Sequence, residues 1–306
     1  MKKNQKKPKQ LFFESFKEII FLITVFLLPT QFGKHFFFNF SYLNGLRVDY
    51  LAPTIYLIDI FIFILFLFHI NEIFRFLTKK PFLFIYFFLL INIIFSKNKF
   101  IASYGMVRIF QWLIFYYLSK IYFKKISKKI LLINFLIIGL VQLFLSFYQM
   151  IFHQSAQGIF YFLGERLFNI QTPGIAKSNF FDKEILRPYG SFSHPNSLAG
   201  FFLLLYFFVL IEKDFKKNIF LKSTVLLIFN ILIFFSFSKV AIITFLILNS
   251  FYFIFSFKKT NCFFCFLNKI INPLFLGLIF LFAKGDLLTF EKRVELIKNS
   301  FSIIYK

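Results

Sequence analysis

Long apolar runs, each near the length of a bilayer-crossing helix, alternate along the chain with short polar stretches rich in lysine. The runs lie near 18–31, 51–69, 81–96, 101–121, 130–152, 197–211, 219–238, 240–257 and 270–283. A run of about 20 residues, at 1.5 Å per residue, matches a hydrocarbon layer roughly 30 Å thick. Lipid offers the backbone no hydrogen-bond partner, so each run must be helical or part of a closed barrel. Barrel strands alternate apolar and polar over about ten residues, and Ile130 to Phe152 does not alternate. The pattern therefore predicts an all-α fold, a polytopic transmembrane bundle of about nine helices forming a single domain over 1–306. Two polar segments stand out as external loops: 153–196, and 284–306 as the start of a second.

Charge sets the expected orientation. Lys2, Lys3, Lys6, Lys7 and Lys9 precede the first run, which keeps the N-terminus in the cytoplasm. With strict alternation the inside loops then hold Arg75, Lys79 and Lys80, then Lys120, Lys124, Lys125, Lys128 and Lys129. They continue with Lys213, Lys216 and Lys217, then Lys258, Lys259 and Lys269. The outside loops are poorer: Lys34 and Arg47, then Lys97 and Lys99, then Lys239. Losing or adding one span would break this agreement for everything downstream, so count and orientation support each other. The formal net charge of +23 changes meaning in this light. Nucleic-acid binders gather basic residues on a soluble face beside stacking aromatics. Here they sit between apolar runs, where they meet anionic membrane lipid, and no nucleic-acid partner is expected.

The 58 phenylalanines are read as filling lipid-facing positions rather than building an aromatic site. Cys262 and Cys265 form a lone C-x-x-C with no second pair and no nearby histidine, so no metal is expected. They fall on the cytoplasmic side, where a structural disulfide is disfavoured. Met1 to Gln10 followed by an apolar run imitates a secretory leader, but Pro29 to Gly33 offers no small-residue cleavage site, and a retained first helix is expected.

Two charges lie inside apolar runs. Asp59 and Arg108 each fall seven or eight residues into a span that runs outside to inside, roughly 10–12 Å deep at 1.5 Å per residue. Ionisable groups at such depth face the bundle and find partners. The two are therefore expected to form a structural polar pair. His69 and His153 lie at span ends and are read as interfacial.

The most informative stretch is Arg187-Pro-Tyr-Gly-Ser-Phe-Ser-His-Pro-Asn-Ser-Leu-Ala-Gly200. Pro188 biases Arg187 toward extended backbone, Gly190 permits a sharp turn, and Pro195 suits a first helical position. The sixth span should start here, with its unpaired N–H groups facing the external loop. A helix N-terminus beside an arginine suits phosphate or diphosphate. An ordinary capped helix beside a solvated arginine fits the same residues.

Arg187-x-x-Gly190-x-Phe192-x-His194-Pro195-Asn196-x-x-Ala199 resembles the signature of the O-antigen ligase and O-antigen polymerase superfamily of bacterial membrane glycosyltransferases. Phe235-Ser-Phe-Ser-Lys239 is similar to that family's Ser-Arg step between two later helices. Arg293, within Glu291-Lys-Arg-Val-Glu-Leu-Ile297, is similar to the arginine opening the family's large external loop. Pro29 to His35 and Arg47 to Pro53 are also similar to members from small-genome bacteria. The resemblance implies a multi-pass protein of the bacterial cytoplasmic (inner) membrane, acting in polysaccharide or lipopolysaccharide biosynthesis. It implies a metal-independent glycosyltransferase without cofactors, taking a glycan from a polyprenyl (undecaprenyl) diphosphate to a glycan, lipid or protein acceptor. Arg187, His194, Asn196, Lys239 and Arg293 would hold the diphosphate. Lys239 departs from the family's arginine, keeping the charge and losing the bidentate fork. The family's external-loop histidine has no counterpart among His35, His69, His153 and His194. The catalytic residue stays unassigned, and the chain is expected to be a C-terminally truncated member of doubtful activity. A transporter or flippase, or a non-catalytic component of a polysaccharide assembly complex, are the alternatives.

Overall fold

The computed structural model describes residues 8–43, 45–180, 183–255 and positions 295, 298 and 299. The chain is mostly helical, with a few short strands. The helices are α1 (Pro8–Leu27), α2 (Leu57–Phe68), α3 (Ile70–Leu77), α4 (Lys80–Phe95), α5 (Lys99–Lys125), α6 (Lys128–Phe152), α7 (Pro195–Ile211), α8 (Ile219–Phe235) and α9 (Lys239–Phe255). The apolar run at 270–283 lies outside the described residues, as do Lys258, Lys259, Cys262, Cys265, Lys269 and most of 284–306. The other eight runs fall on helices. α3 answers to no run: it is a short amphipathic helix that follows α2 at a bend of 94°.

Among the described residues two helices are long and apolar enough to cross a membrane, α6 and the stretch Lys213–Phe235 that ends with α8, or three if the bent α2–α3 pair counts as one. α4, α7 and α9 are apolar but shorter. α1 and α5 are long, but carry Glu14, Lys17 and Glu18, and Arg108 and Lys120, inside them.

The expectation of an all-helical chain needs correcting, because the described residues include six short strands in three two-stranded pairs. β1 (Gly33–His35) pairs with β4 (Thr54–Tyr56), and within that loop β2 (Tyr42–Leu43) pairs with β3 (Leu46–Arg47). β5 (Lys177–Phe180) pairs with β6 (Lys183–Leu186). The physical reason is that the chain between α1 and α2, and between α6 and α7, must turn back while keeping its N–H and C=O groups bonded. Apolar-run counting carries no signal for pairs two to four residues long.

Local chemistry explains the helix ends. Asn98 caps α5 with Oδ1 accepting from Phe100 N and Ile101 N at 3.1 and 3.2 Å. Pro81 and Pro195 stand in the first turns of α4 and α7, where no N–H is missed. α6 ends at His153 in a left-handed conformation.

The described residues divide into two compact units, one of 1–178 with 185–241 and the other of 179–184 with 242–306. In the first, α8 packs against both α6 and α7, and α1 against α2 and α6. Leu131, Leu132, Phe135, Ile138 and Leu145 of α6 and Val225, Phe229 and Leu232 of α8 are buried in this core. Gly139 lets α6 and α8 approach closely, because a Cβ there would sit 2.8 Å from Ile228 Cγ2. Asn134 Nδ2 ties α6 to α1 by donating to Leu22 O at 3.0 Å. The second unit holds α9 from Ile242 onward, where Asn249 Nδ2 and Ser250 Oγ donate back to carbonyls one turn earlier.

Candidate functional site

α6 carries two buried glutamines, Gln142 and Gln149, seven residues apart and so on one face. Together they hold the loop that leads into α7. Gln149 Oε1 accepts from Tyr189 N and Gly190 N at 2.8 and 2.9 Å, and its Nε2 donates to Gly190 O at 2.8 Å. Gln142 Oε1 accepts from Ser191 N at 3.0 Å, and its Nε2 donates to Ser191 Oγ at 2.7 Å. Ser191 Oγ in turn donates to Pro29 O at 2.6 Å, just past α1. Gly190 has φ +58°, and a Cβ would collide with Gln142 Oε1, so only glycine fits. Buried Glu165 completes the latch: its Oε1 accepts from Gln149 Nε2 and Ala156 N, and its Oε2 from Gln157 N. These three residues escaped the sequence reading. The available signal was two amides two turns apart in an apolar run, since polar groups at such positions face the bundle.

The latch fixes where Arg187 sits. Its backbone N–H donates to Ala176 O at 3.1 Å. Its side chain is half-buried, with Nε donating to Ser236 O at 3.0 Å and Nη2 to Asn196 Oδ1 at 2.8 Å. A guanidinium has five N–H groups in a planar fork, and these two bonds use two of them. Burial lowers the Arg187 pKa, partly offset by Tyr189, but the group stays cationic.

Three of the expected site residues therefore meet at the start of α7: Arg187, His194 and Asn196. His194 is the N-cap, its Nδ1 accepting from Asn196 N at 3.1 Å, which requires that nitrogen to be unprotonated. Its ring is sheltered enough that desolvation, followed by the Arg187 charge, pushes its pKa below the ordinary histidine value. A neutral His194 with Nδ1 occupied is a cap and not a proton acceptor on that side.

Lys239 opens α9, exposed, three residues after Ser236, so the two motifs meet through the carbonyl that Arg187 holds. Ser236 Oγ accepts from Ser238 N at 3.1 Å, and Phe237 between them has φ +51°. A bulky residue in that region is strained and is kept only where its surroundings over-determine it. Arg293 lies outside the described residues.

Asp59 and Arg108 lie elsewhere, between α2 and α5. Arg108 Nη1 donates to Asp59 Oδ1 at 2.8 Å and to Gln111 Oε1 at 2.6 Å, and Asp59 Oδ2 accepts from Tyr56 N at 2.8 Å. The guanidinium also lies over the Tyr56 ring, 4.8 Å from its centroid. Every strong group of this cluster has a partner, the mark of a structural pair. His69 sits at the α2–α3 elbow, buried, bonded to Tyr122 Oη at 2.9 Å and Glu72 Oε2 at 3.1 Å. Among the described residues no three His, Cys, Asp or Glu side chains gather to hold a metal.

No protein-family model, curated protein or solved structure matches the chain.

Proposed function

We propose that this chain is a multi-pass protein of the bacterial cytoplasmic membrane, with about nine spans and a cytoplasmic N-terminus. In this reading it acts as an O-antigen ligase- or polymerase-like glycosyltransferase on a polyprenyl-diphosphate-linked glycan. The observation that supports the reading is the placement of Arg187. Its guanidinium is half-buried at the first turn of α7, beside the helix N–H groups, with three of its five N–H groups unused by Ser236 and Asn196.

The chemistry asks for such a group. An acceptor hydroxyl oxygen attacks the anomeric carbon, the bond from that carbon to the diphosphate oxygen breaks, and the diphosphate leaves with the electron pair. The acceptor proton passes to a base not assigned among these residues. Negative charge grows on the leaving oxygen, and fixed donors aimed at it lower the barrier. Arg187 supplies a permanent charge, and the α7 N-terminus supplies amides and a dipole of the same sign. Lys239 and Arg293 belong to the proposal through the motif.

One feature favours a second reading. The α2–α3 pair is a broken helix, a device that transporters use, and a flippase for the same lipid-linked glycan would also bind a diphosphate. The deciding experiment reconstitutes the full chain with a lipid-linked glycan donor and compares wild type, Arg187→Lys and Arg187→Ala. Loss of a charge-assisted contact of about 1.5–3 kcal/mol weakens donor binding roughly 10- to 100-fold in Arg187→Ala. Arg187→Lys falls between. Equal donor binding by wild type and Arg187→Ala overturns the site. Donor binding with movement across the bilayer and no transfer selects the flippase.

A further inference from the structure

After α6 ends, the chain does not leave for solvent but folds back along the helix it has just completed. The fold-back is pinned at three points. The Phe160 ring stacks on Phe144 with centroids 5.5 Å apart, and Phe144 lies eight residues before the end of α6, about 12 Å back along its axis. The Glu165 carboxylate takes the Gln149 amide from the same helix. Gln31 N donates to Leu163 O at 3.2 Å, and at Gly164, φ +84°, a Cβ would collide with the Gln31–Phe32 backbone.

The segment so fixed, the 3-10 turn Gly158–Leu163 and the residues after it, turns its large apolar side chains outward. Ile159 is 81% exposed, Tyr161 55%, Phe162 61% and Leu167 81%. In water such a cluster costs free energy at about 25 cal/mol per Å2 of apolar surface. The pinning contacts also keep it from collapsing inward. Its surroundings name the occupant. Phe144, 55% exposed and stacked on Phe160, belongs to the outward face of a helix long and apolar enough to cross a membrane. The apolar surface of the turn thus continues that of α6, at a level two turns inside the helix end. Arg166, exposed between Glu165 and Leu167, adds the cation that suits lipid phosphates at such a boundary.

We propose that Ile159, Tyr161, Phe162 and Leu167 form a crest that dips into the bilayer leaflet surrounding the C-terminal end of α6, where it is covered by phospholipid acyl chains. The crest does not depend on glycan transfer. It places Phe144 at acyl-chain depth, about 3 Å along α6 from Gln142, the residue that holds the loop into α7.

The test uses the full chain in phospholipid vesicles with its single tryptophan removed by Trp112→Phe. Tryptophan is then introduced singly as Phe162→Trp, Leu167→Trp or, at an exposed polar position of the same loop, Gln171→Trp. Leu167 is exposed enough that its replacement disturbs no packing. Both crest variants should emit at short wavelength, lose most of their emission to lipids brominated in the acyl chain and resist aqueous iodide. Gln171→Trp should do the reverse. If either crest tryptophan is quenched by iodide and spared by brominated lipid, the crest faces water and the proposal is overturned.

Discussion

Replacing Gln149 by leucine should unlatch the candidate site without touching it. The side chain is fully buried, and its amide serves two backbone N–H groups, one carbonyl and one carboxylate oxygen. Leucine keeps the bulk and bonds to none of them. Each buried polar group left without a partner costs about 1–3 kcal/mol, so the three backbone groups alone set a gross loss of about 3–9 kcal/mol. Relaxation and entry of water recover part of it, and a net local loss of about 3–5 kcal/mol is the expectation. Proteolysis reads the quantity directly, since the rate of native-state cleavage follows the population of the opened loop. Trypsin acting at exposed Lys177 should cut Gln149→Leu roughly 100- to 4000-fold faster than wild type, at 1.4 kcal/mol per tenfold. Gln149→Glu keeps an acceptor for Tyr189 N and Gly190 N but sets a second carboxylate beside Glu165, and should also open the loop. A leucine variant cut within threefold of the wild-type rate would show that the glutamine does not hold the loop.

Two further perturbations probe the charges. Asp59→Leu or Arg108→Leu alone strands the other partner among apolar helices and should destabilise the fold by about 3 kcal/mol, while the double replacement recovers most of that; additive losses in an unfolding titration would deny the pair. For His194 the folded-state pKa lies below the ordinary value, so the unfolded chain binds the proton first. Its contribution to stability is complete above the ordinary histidine range and fades as pH falls through the folded-state value. His194→Asn keeps a good cap and should flatten that slope relative to wild type, and identical pH profiles would count against it.

The parts of the fold that follow from bulk transfer free energy were readable in advance. Runs such as 130–152 and 197–211 coincide with α6 and α7 within a few residues because a long apolar run without alternation favours a helix over a strand. Asp59 and Arg108 announced themselves as charges in the wrong solvent. What escaped was short or depended on tertiary closure. Ile70 to Leu77 reads as a polar loop because Asn71, Glu72 and Arg75 interrupt it, yet Ile73, Phe76 and Leu77 fall on one buried face. Glu165, in a polar loop, gives no hint that it will be buried beneath Gln149. Lys222 looks like a loop lysine carried into a span, and in the structure it is buried and donates to Leu210 O at 2.9 Å at the end of α7. At the candidate site the motif indicated Arg187, His194 and Asn196, but Ser236, which orients the guanidinium through its carbonyl, is invisible to side-chain reasoning.

The two glutamines of α6 have a consequence for how any ligand arrives. A loop whose amides are already bonded to a helix of the core has little disorder left to lose, so capture of an anion spends little on ordering. The same bonds forbid the loop to swing aside as a gate, because each would have to break without replacement. The backbone that the loop presents at the start of α7 is therefore set before anything approaches it.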